Sequence, residues 1–201
     1  LRFASDAYYN DKPVVTDNLF DIVKEYGQRT YSGNPCFHEI GAPTNKKKVK
    51  LPYFLGSMEK IKPDTAALPK FLAKYPGSKV ISAKLDGISA LYTTEGKRPQ
   101  LLTRGRAVSG LDISYMIPYL ELPKEEGIAI RGELIVPQKV FESKYSATYK
   151  NPRNMVSGIV NSKQHEAEKW KDLDFVGYEV INPRLKPSAQ LEWLHKHGVI
   201  T

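Results

Sequence analysis

A lysine stands two residues before an Asp-Gly pair in Lys84-Leu85-Asp86-Gly87. Asp-Gly favours a turn, so we expect the Lys84 side chain where the chain bends and can face a cleft. A lysine amine, with a reference pKa of about 10.4, becomes a nucleophile only where burial or a nearby cation lowers that pKa. Such a lysine could carry a nucleotide covalently; an ordinary surface lysine beside a turn is the alternative.

Two arginines stand where a phosphate could bind. Arg104 closes a predicted strand in Thr-Arg-Gly, and its guanidinium could bind a phosphate or a carboxylate. Arg153, in Asn-Pro-Arg-Asn, lies at the start of a predicted helix, where backbone amides attract anions. A surface arginine at a turn and a simple helix cap are the competing interpretations.

Two further side chains could contact a base and a sugar. Glu133 interrupts an apolar strand, where a carboxylate must face water, pair or serve a ligand such as ribose hydroxyls or Mg²⁺. Tyr178 lies in the middle of another strand, and Gly177 before it could leave room for a flat ring to stack. A tyrosine of the core is the alternative for Tyr178.

A set of short strands and helices must position these groups. Alternating and β-branched patterns predict strands over 80–84, 88–93, 100–104, 128–136 and 173–181, with a hairpin at Glu95-Gly96. Helical patterns cover 65–75, 138–147, 153–169 and 189–197. This order predicts an α+β fold with a mainly antiparallel sheet.

The N-terminal part has a different pattern. A helix capped by Thr16 or Asp17 is predicted to end at Gly27, and residues 28–56 are rich in Gly, Pro, Asn and Lys. We therefore expect a helical module over 1–28, a linker with the start of the main domain over 29–64, and the main domain over 65–201.

Composition limits the class of protein. The net charge of +8 and the pI near 9.4 favour a polyanionic partner. A single cysteine, Cys36, excludes an internal disulfide and a cysteine metal cage, and we assign no residue as a metal ligand. The sequence has neither an apolar run of membrane-span length nor a signal-peptide layout, so we expect no membrane partner and a cytoplasmic location.

The motifs, taken in order along nearly the whole chain, resemble the adenylation domain of NAD⁺-dependent DNA ligases. The resemblance implies an antiparallel nucleotidyltransferase fold in which Lys84 carries AMP within the motif that contains Leu85, Asp86 and Gly87. It further implies nucleotide contacts from a wider set: Arg104, Glu133, Tyr178 stacked on adenine, Arg153 near nucleotide and DNA, and Ser57 with Met58 beside the adenylate.

The first residues resemble the same family's module for the nicotinamide mononucleotide (NMN) half of NAD⁺. Asp17 and Asp21 match its acidic residues, and Phe20 stands where tyrosine is usual. Tyr8 and Tyr9 lie around a Tyr-His pair of the family. ATP-dependent ligases lack this module, so the resemblance implies NAD⁺ as the AMP donor, with Mg²⁺.

Several positions depart from the family pattern. Ser82 replaces a glutamate, Arg106-Ala107 replaces Asp-Gly, and Asn161 stands near an expected second arginine. These departures favour a divergent member of viral or phage type, located in a bacterial cytoplasm or an infected host cell. The last two lysine-bearing motifs of the fold are not in the sequence, so the domain is expected to be C-terminally incomplete.

The function implied is the adenylation step of DNA ligation. Lys84 would attack the α-phosphate of NAD⁺, release NMN and pass AMP to the 5′-phosphate of nicked double-stranded DNA, in repair or replication. The OB-fold and helix-hairpin-helix parts would follow in cis or in a second subunit. Two alternatives remain open: a nucleotide- or DNA-binding subunit that needs a partner chain for catalysis, and an ATP-dependent nucleotidyltransferase.

Overall fold

A computed structural model describes residues 1–4, 7, 14–35, 48–56, 61, 66–105, 108–162 and 166–201. Contacts divide the chain into two compact units. The smaller comprises Leu1–Lys48 with Asn161–Lys163, and the larger comprises Val49–Val160 with Gln164–Thr201.

In the smaller unit, helix α1 spans Asp17–Thr30. Thr16 caps it, because its side-chain oxygen accepts a hydrogen bond from the Leu19 amide at 3.3 Å, so the predicted start is confirmed. The predicted end at Gly27 is wrong: Gly27 is buried within the helix, and its carbonyl accepts the Tyr31 amide that closes the last turn. Phe20 is partly buried on this helix.

The larger unit contains a four-stranded antiparallel sheet in the order β3-β2-β5-β6. Its strands are β2 (Ile88–Thr93), β3 (Gln100–Thr103), β5 (Ala129–Ile135) and β6 (Asp174–Asn182). A second, two-stranded sheet pairs β1 (Lys48–Lys50) with β4 (Ser109–Leu111). The predicted α+β fold, antiparallel sheet and hairpin between β2 and β3 are confirmed.

Five helices and one 3-10 helix complete the described part of this unit. They are α2 (Ala67–Lys74), the 3-10 helix Ser114–Tyr119, α3 (Gln138–Lys144), α4 (Pro152–Asn161), α5 (Ala167–Trp170) and α6 (Pro187–Lys196). The single helix predicted over 153–169 is therefore two helices, α4 and α5. Pro69 lies in the first turn of α2, where a missing amide breaks no helical hydrogen bond.

Strand alternation distributes apolar side chains to both faces of the sheet. One face forms the main core, in which Ala90 and Tyr92 pack with side chains from α4 and α6, such as Met155 and Leu194. Leu91 points the other way, into a small cluster with Leu51, Leu55 and Leu102. The segment around Leu51–Leu55 therefore covers part of the second face of the sheet.

The strand predicted over 80–84 is absent. Residues 78–86 have no regular secondary structure, and Ile81 is 92% exposed. A β-branched pattern forms a strand only where a neighbouring strand offers hydrogen-bonding groups, and both edges of β2 are taken by β3 and β5. Lys84 consequently lies in an irregular segment that leads into β2, here called the entry segment, and does not end a strand.

Candidate functional site

Glu133 on β5 is linked directly to the lysine motif. Its Oε1 accepts a hydrogen bond from the Gly87 amide at 3.2 Å. Burial raises the pKa of the Glu133 carboxyl, and the Gly87 amide, the Ser89 hydroxyl and the positive charges of Arg153 and Lys84 oppose that shift. Lys84 is exposed and close enough to favour the ionised form of Glu133 electrostatically.

Gly87 is required by close packing at this turn. It is buried, and a β-carbon placed on it would collide with the backbone carbonyl oxygen of Leu134. The turn of the motif therefore lies tightly against the backbone of β5, next to Glu133.

Arg153 and Asp86 form an ion pair next to this turn. Nη1 of Arg153 lies 2.7 Å from Oδ1 of Asp86, and both side chains are largely exposed. Because Arg153 is the second residue of α4, the pair joins the lysine motif to the N-terminal turn of that helix. The structure thus brings Arg153 close to the lysine motif and to Glu133.

Tyr178 lines a cavity of about 220 Å³. The cavity is bordered by Ser89 on β2, Arg131 on β5, Tyr178 and Glu179 on β6, and the segment Phe54, Leu55 and Gly56. The Tyr178 hydroxyl lies 3.0 Å from the Ser89 hydroxyl, and burial raises the pKa of Tyr178. The ring is therefore partly buried at the edge of a cavity.

A β-bulge orients Tyr178. Gly132 pairs with Gly177 and Arg131 pairs with Glu179, so Tyr178 is the extra residue between them. Gly177 faces the core, where an added β-carbon would contact Val199 and Leu194. The idea that Gly177 makes room for a stacked ring is therefore wrong, because the two residues lie on opposite faces.

Arg131 is a site residue whose role sequence reasoning missed. Its guanidinium donates to Glu179 Oε2 at 2.7 Å and to the Phe54 carbonyl at 2.6 Å. It therefore anchors the segment that leads towards Ser57 and Met58. Two opposite charges inside apolar strands, Arg131 and Glu179, were the signal that could have indicated this pair.

For the other predicted site residues, the structure shows fewer contacts with the lysine motif and the cavity. The Arg104 amide donates to the Ser89 carbonyl at 2.9 Å, which sets Arg104 beside the cavity strand, and Leu85 is partly buried next to Lys84. Tyr8, Tyr9, Ser57 and Met58 lie outside the described residues, as do the side chains of Asp17 and Asp21.

The described residues contain no group of three or more His, Cys, Asp or Glu side chains that could hold a metal ion. They also contain no helix long and apolar enough to cross a membrane.

Comparison with known proteins identifies the class. The family model for the NAD-dependent DNA ligase adenylation domain matches residues 67–201, and the chain belongs to this family. It is a ligase family, and the sequence-based identification is confirmed.

Individual relatives of the chain also carry the name DNA ligase. The chain is 41% identical to a DNA ligase of Acanthamoeba polyphaga mimivirus, over 99% of the chain and 32% of that relative. It is 29% identical to a DNA ligase of Helicobacter acinonychis, over 90% of the chain and 32% of the relative. The chain thus spans about a third of the length of these curated relatives.

Proposed function

We propose that this chain performs the adenylation step of an NAD⁺-dependent DNA ligase, with Lys84 as the nucleophile. The observation that supports it most directly is the hydrogen bond between Glu133 and the Gly87 amide. It holds the turn of the lysine motif against β5, next to the cavity bordered by Tyr178.

In this reaction the unprotonated amine of Lys84 attacks the α-phosphorus of NAD⁺. A nitrogen–phosphorus bond forms, the bond to the phosphate oxygen of NMN breaks, and NMN leaves with that electron pair. The attacking amine loses a proton, which leaves lysyl-AMP. Arg104 and Arg153 would offset negative charge on the phosphoryl oxygens.

The remaining contacts would be made to the ribose and to the adenine of AMP. Glu133 would accept hydrogen bonds from the ribose hydroxyls, and Tyr178 would stack on adenine, with Ser57 and Met58 beside it. Leu85, Asp86 and Gly87 would shape the turn around the adenylated lysine. The Asp86–Arg153 pair supports this assignment, because it fixes the turn from the side of α4.

Mg²⁺ would be held mainly by the NAD⁺ phosphates and water, as it commonly is at nucleotide sites. The described residues offer no group of three or more His, Cys, Asp or Glu side chains for it, and Glu133 is assigned to the ribose hydroxyls. Bound to the phosphates, Mg²⁺ would stabilise charge on the transferring phosphoryl group.

Two further assignments complete the proposal. Asp17, Phe20 and Asp21 on α1, with Tyr8 and Tyr9, would bind the NMN half of NAD⁺. AMP would then pass to the 5′-phosphate of nicked double-stranded DNA, whose backbone suits the net charge of +8. The OB-fold and helix-hairpin-helix parts of a ligase would complete the DNA site in cis or as a second subunit.

The test is mass analysis after incubation with NAD⁺. The protein, expressed with whatever precedes or follows these 201 residues in its reading frame, should gain one AMP. Lys84→Ala should gain none, whereas Lys79→Ala, which removes an exposed lysine five positions away, should react normally.

Other outcomes distinguish the alternatives. Adenylation that persists in Lys84→Ala would contradict the proposal. Labelling by ATP with NAD⁺ inert would favour an ATP-dependent enzyme. Binding of NAD⁺ without labelling, until a partner chain is added, would favour a binding subunit.

A further inference from the structure

Ser89 occupies a junction between the two residues assigned to ribose and adenine. On β2 it is directly opposite Glu133 of β5, as a register pair. Its hydroxyl also lies 3.0 Å from the hydroxyl of Tyr178, which is on β6, two strands away. A single short side chain therefore contacts groups from both neighbouring parts of the site.

The contact with Tyr178 depends on the bulge in β6. Neighbouring strands lie about 4.8 Å apart, so side chains from β2 and β6 are separated by about twice that distance at the backbone. The bulge adds Tyr178 to the same face as Glu179, from which the long phenol side chain reaches over β5. Ser89 meets it there, partly buried at the border of the cavity.

We propose that Ser89 is a positioning residue that joins Glu133 and Tyr178 into one polar unit and so fixes the ribose-binding carboxylate relative to the adenine-binding ring. This inference rests on the function proposed above and adds a residue to it. Ser89 acts through Glu133 and Tyr178.

The electrostatics agree with this arrangement. The Ser89 hydroxyl favours the ionised form of Glu133 against the effect of burial, which raises the pKa of that carboxyl. The other charged or titratable groups around Glu133 are Lys84 from the entry segment, Arg153 from α4, Tyr178 from β6, and Arg131 on its own strand. Replacing Ser89 leaves all of these in place.

The test uses Ser89→Ala, Ser89→Thr and a matched control, Ser143→Ala. Ser143 is an exposed serine of α3 whose hydroxyl donates to the Val140 carbonyl. For lysyl-AMP formation, Ser89→Ala should raise the KM for NAD⁺ roughly three- to tenfold, the range expected for losing one hydrogen bond. Its kcat should change less, since Lys84 and the arginines are unaltered. Ser89→Thr retains a hydroxyl and should recover most of the loss.

A pH profile separates positioning from a simple loss of stability. Without the Ser89 hydroxyl, the pKa of Glu133 should rise further, so the pH below which the KM for NAD⁺ increases should move upwards. Carboxyl-carbon NMR should show the same rise directly, with the Glu133 signal assigned by its absence in Glu133→Gln. The Ser143→Ala control should change neither quantity.

A double-mutant cycle tests whether Ser89 acts through the Tyr178 hydroxyl. Tyr178→Phe keeps the ring and removes that hydroxyl, so Ser89→Ala combined with Tyr178→Phe should cost less than the sum of the two single changes. Full additivity, or a Ser89→Thr variant as impaired as Ser89→Ala, would count against the inference.

The two proposals fail in different ways. If the unaltered protein gains AMP but Ser89→Ala matches it in KM, pH profile and Glu133 pKa, this inference is overturned and the proposed function stands. If the unaltered protein gains no AMP, the proposed function fails, and the NMR measurement still decides whether Ser89 and Glu133 are coupled.

Discussion

The Gly87 amide donates a hydrogen bond to the Glu133 carboxylate across 46 positions of the sequence. This hydrogen bond joins two segments that are far apart in the chain. One is the turn after Lys84, and the other is the middle of β5. Three predictions concern this connection and the contacts around it, and a fourth concerns the ion pair of Asp172 elsewhere in the larger unit.

Gly87→Ala should be strongly destabilising. The added methyl group would meet the Leu134 carbonyl oxygen and the Ile135 side chain, so the turn would have to move away from β5. We expect the free energy of unfolding to fall by about 2 kcal/mol or more, measured by urea denaturation. Gly96→Ala is the matched control, because its nearest neighbours are 3.8 Å away or farther; an equal loss there would contradict the explanation.

Glu133→Gln should separate the charge of Glu133 from its hydrogen bond. An amide oxygen can still accept the Gly87 amide, but it offers no negative charge near Lys84. Because burial holds the pKa of Glu133 above its ordinary value of 4.5, ionisation of this group opposes folding. The preference of the folded state for protonated Glu133 therefore contributes to stability below pH 4.5. This contribution is lost as the pH rises through the folded-state pKa.

Glu133→Gln should therefore remove that decline in stability above pH 4.5 while reducing lysyl-AMP formation by roughly tenfold or more, as expected for a lost charged contact. Thermal unfolding at several pH values and mass analysis measure the two effects. An unchanged pH dependence of stability would show that Glu133 is not the group that titrates.

Arg131→Gln should loosen the segment that borders the cavity. It breaks the 2.7 Å pair with Glu179 and the 2.6 Å bond to the Phe54 carbonyl. Both side chains are partly exposed, so we expect a loss of about 1 kcal/mol, with faster hydrogen exchange around Phe54. Arg98→Gln breaks a longer pair, 3.7 Å, between the exposed Arg98 and the partly buried Asp112, and should leave both quantities nearly unchanged.

Asp172→Asn should show the opposite pH dependence from Glu133. Burial raises the pKa of Asp172, but the hydrogen bonds from Lys144 and Tyr145 outweigh it, so the net pKa lies below 3.8. Its stabilisation is present above that value and is lost as the pH falls. At neutral pH the variant should lose about 1–2 kcal/mol, and the difference should vanish in acid.

The matched control for Asp172→Asn is a variant that removes an ion pair at the surface. Lys171→Ala breaks the exposed pair between Lys171 and Glu168 and should change stability little. Calorimetric melting at neutral and acid pH compares the two variants. A loss that persists in acid would indicate a packing defect and not a lost charge interaction.

Much of the fold was predictable because local patterns decided it. Period-two alternation located β2, β3, β5 and β6 to within a residue or two, and the turn residues at Glu95-Gly96 located the hairpin. The secondary-structure predictions failed where the pairing of one strand with another decided the outcome. Residues 80–84 have strand composition but no partner strand, and the basic stretch assigned to a linker contains β1, which pairs with β4.

The sequence by itself determined the family and the chemistry available to it, because the motif around Lys84 and the residues Arg104, Glu133, Arg153 and Tyr178 are recognisable in order. Only the tertiary structure decided how these groups meet. The contact between Ser89 and Tyr178 requires an antiparallel register, an intervening strand and a bulge. None of these is encoded in residue types at either position, because each depends on hydrogen bonds between segments far apart in the chain.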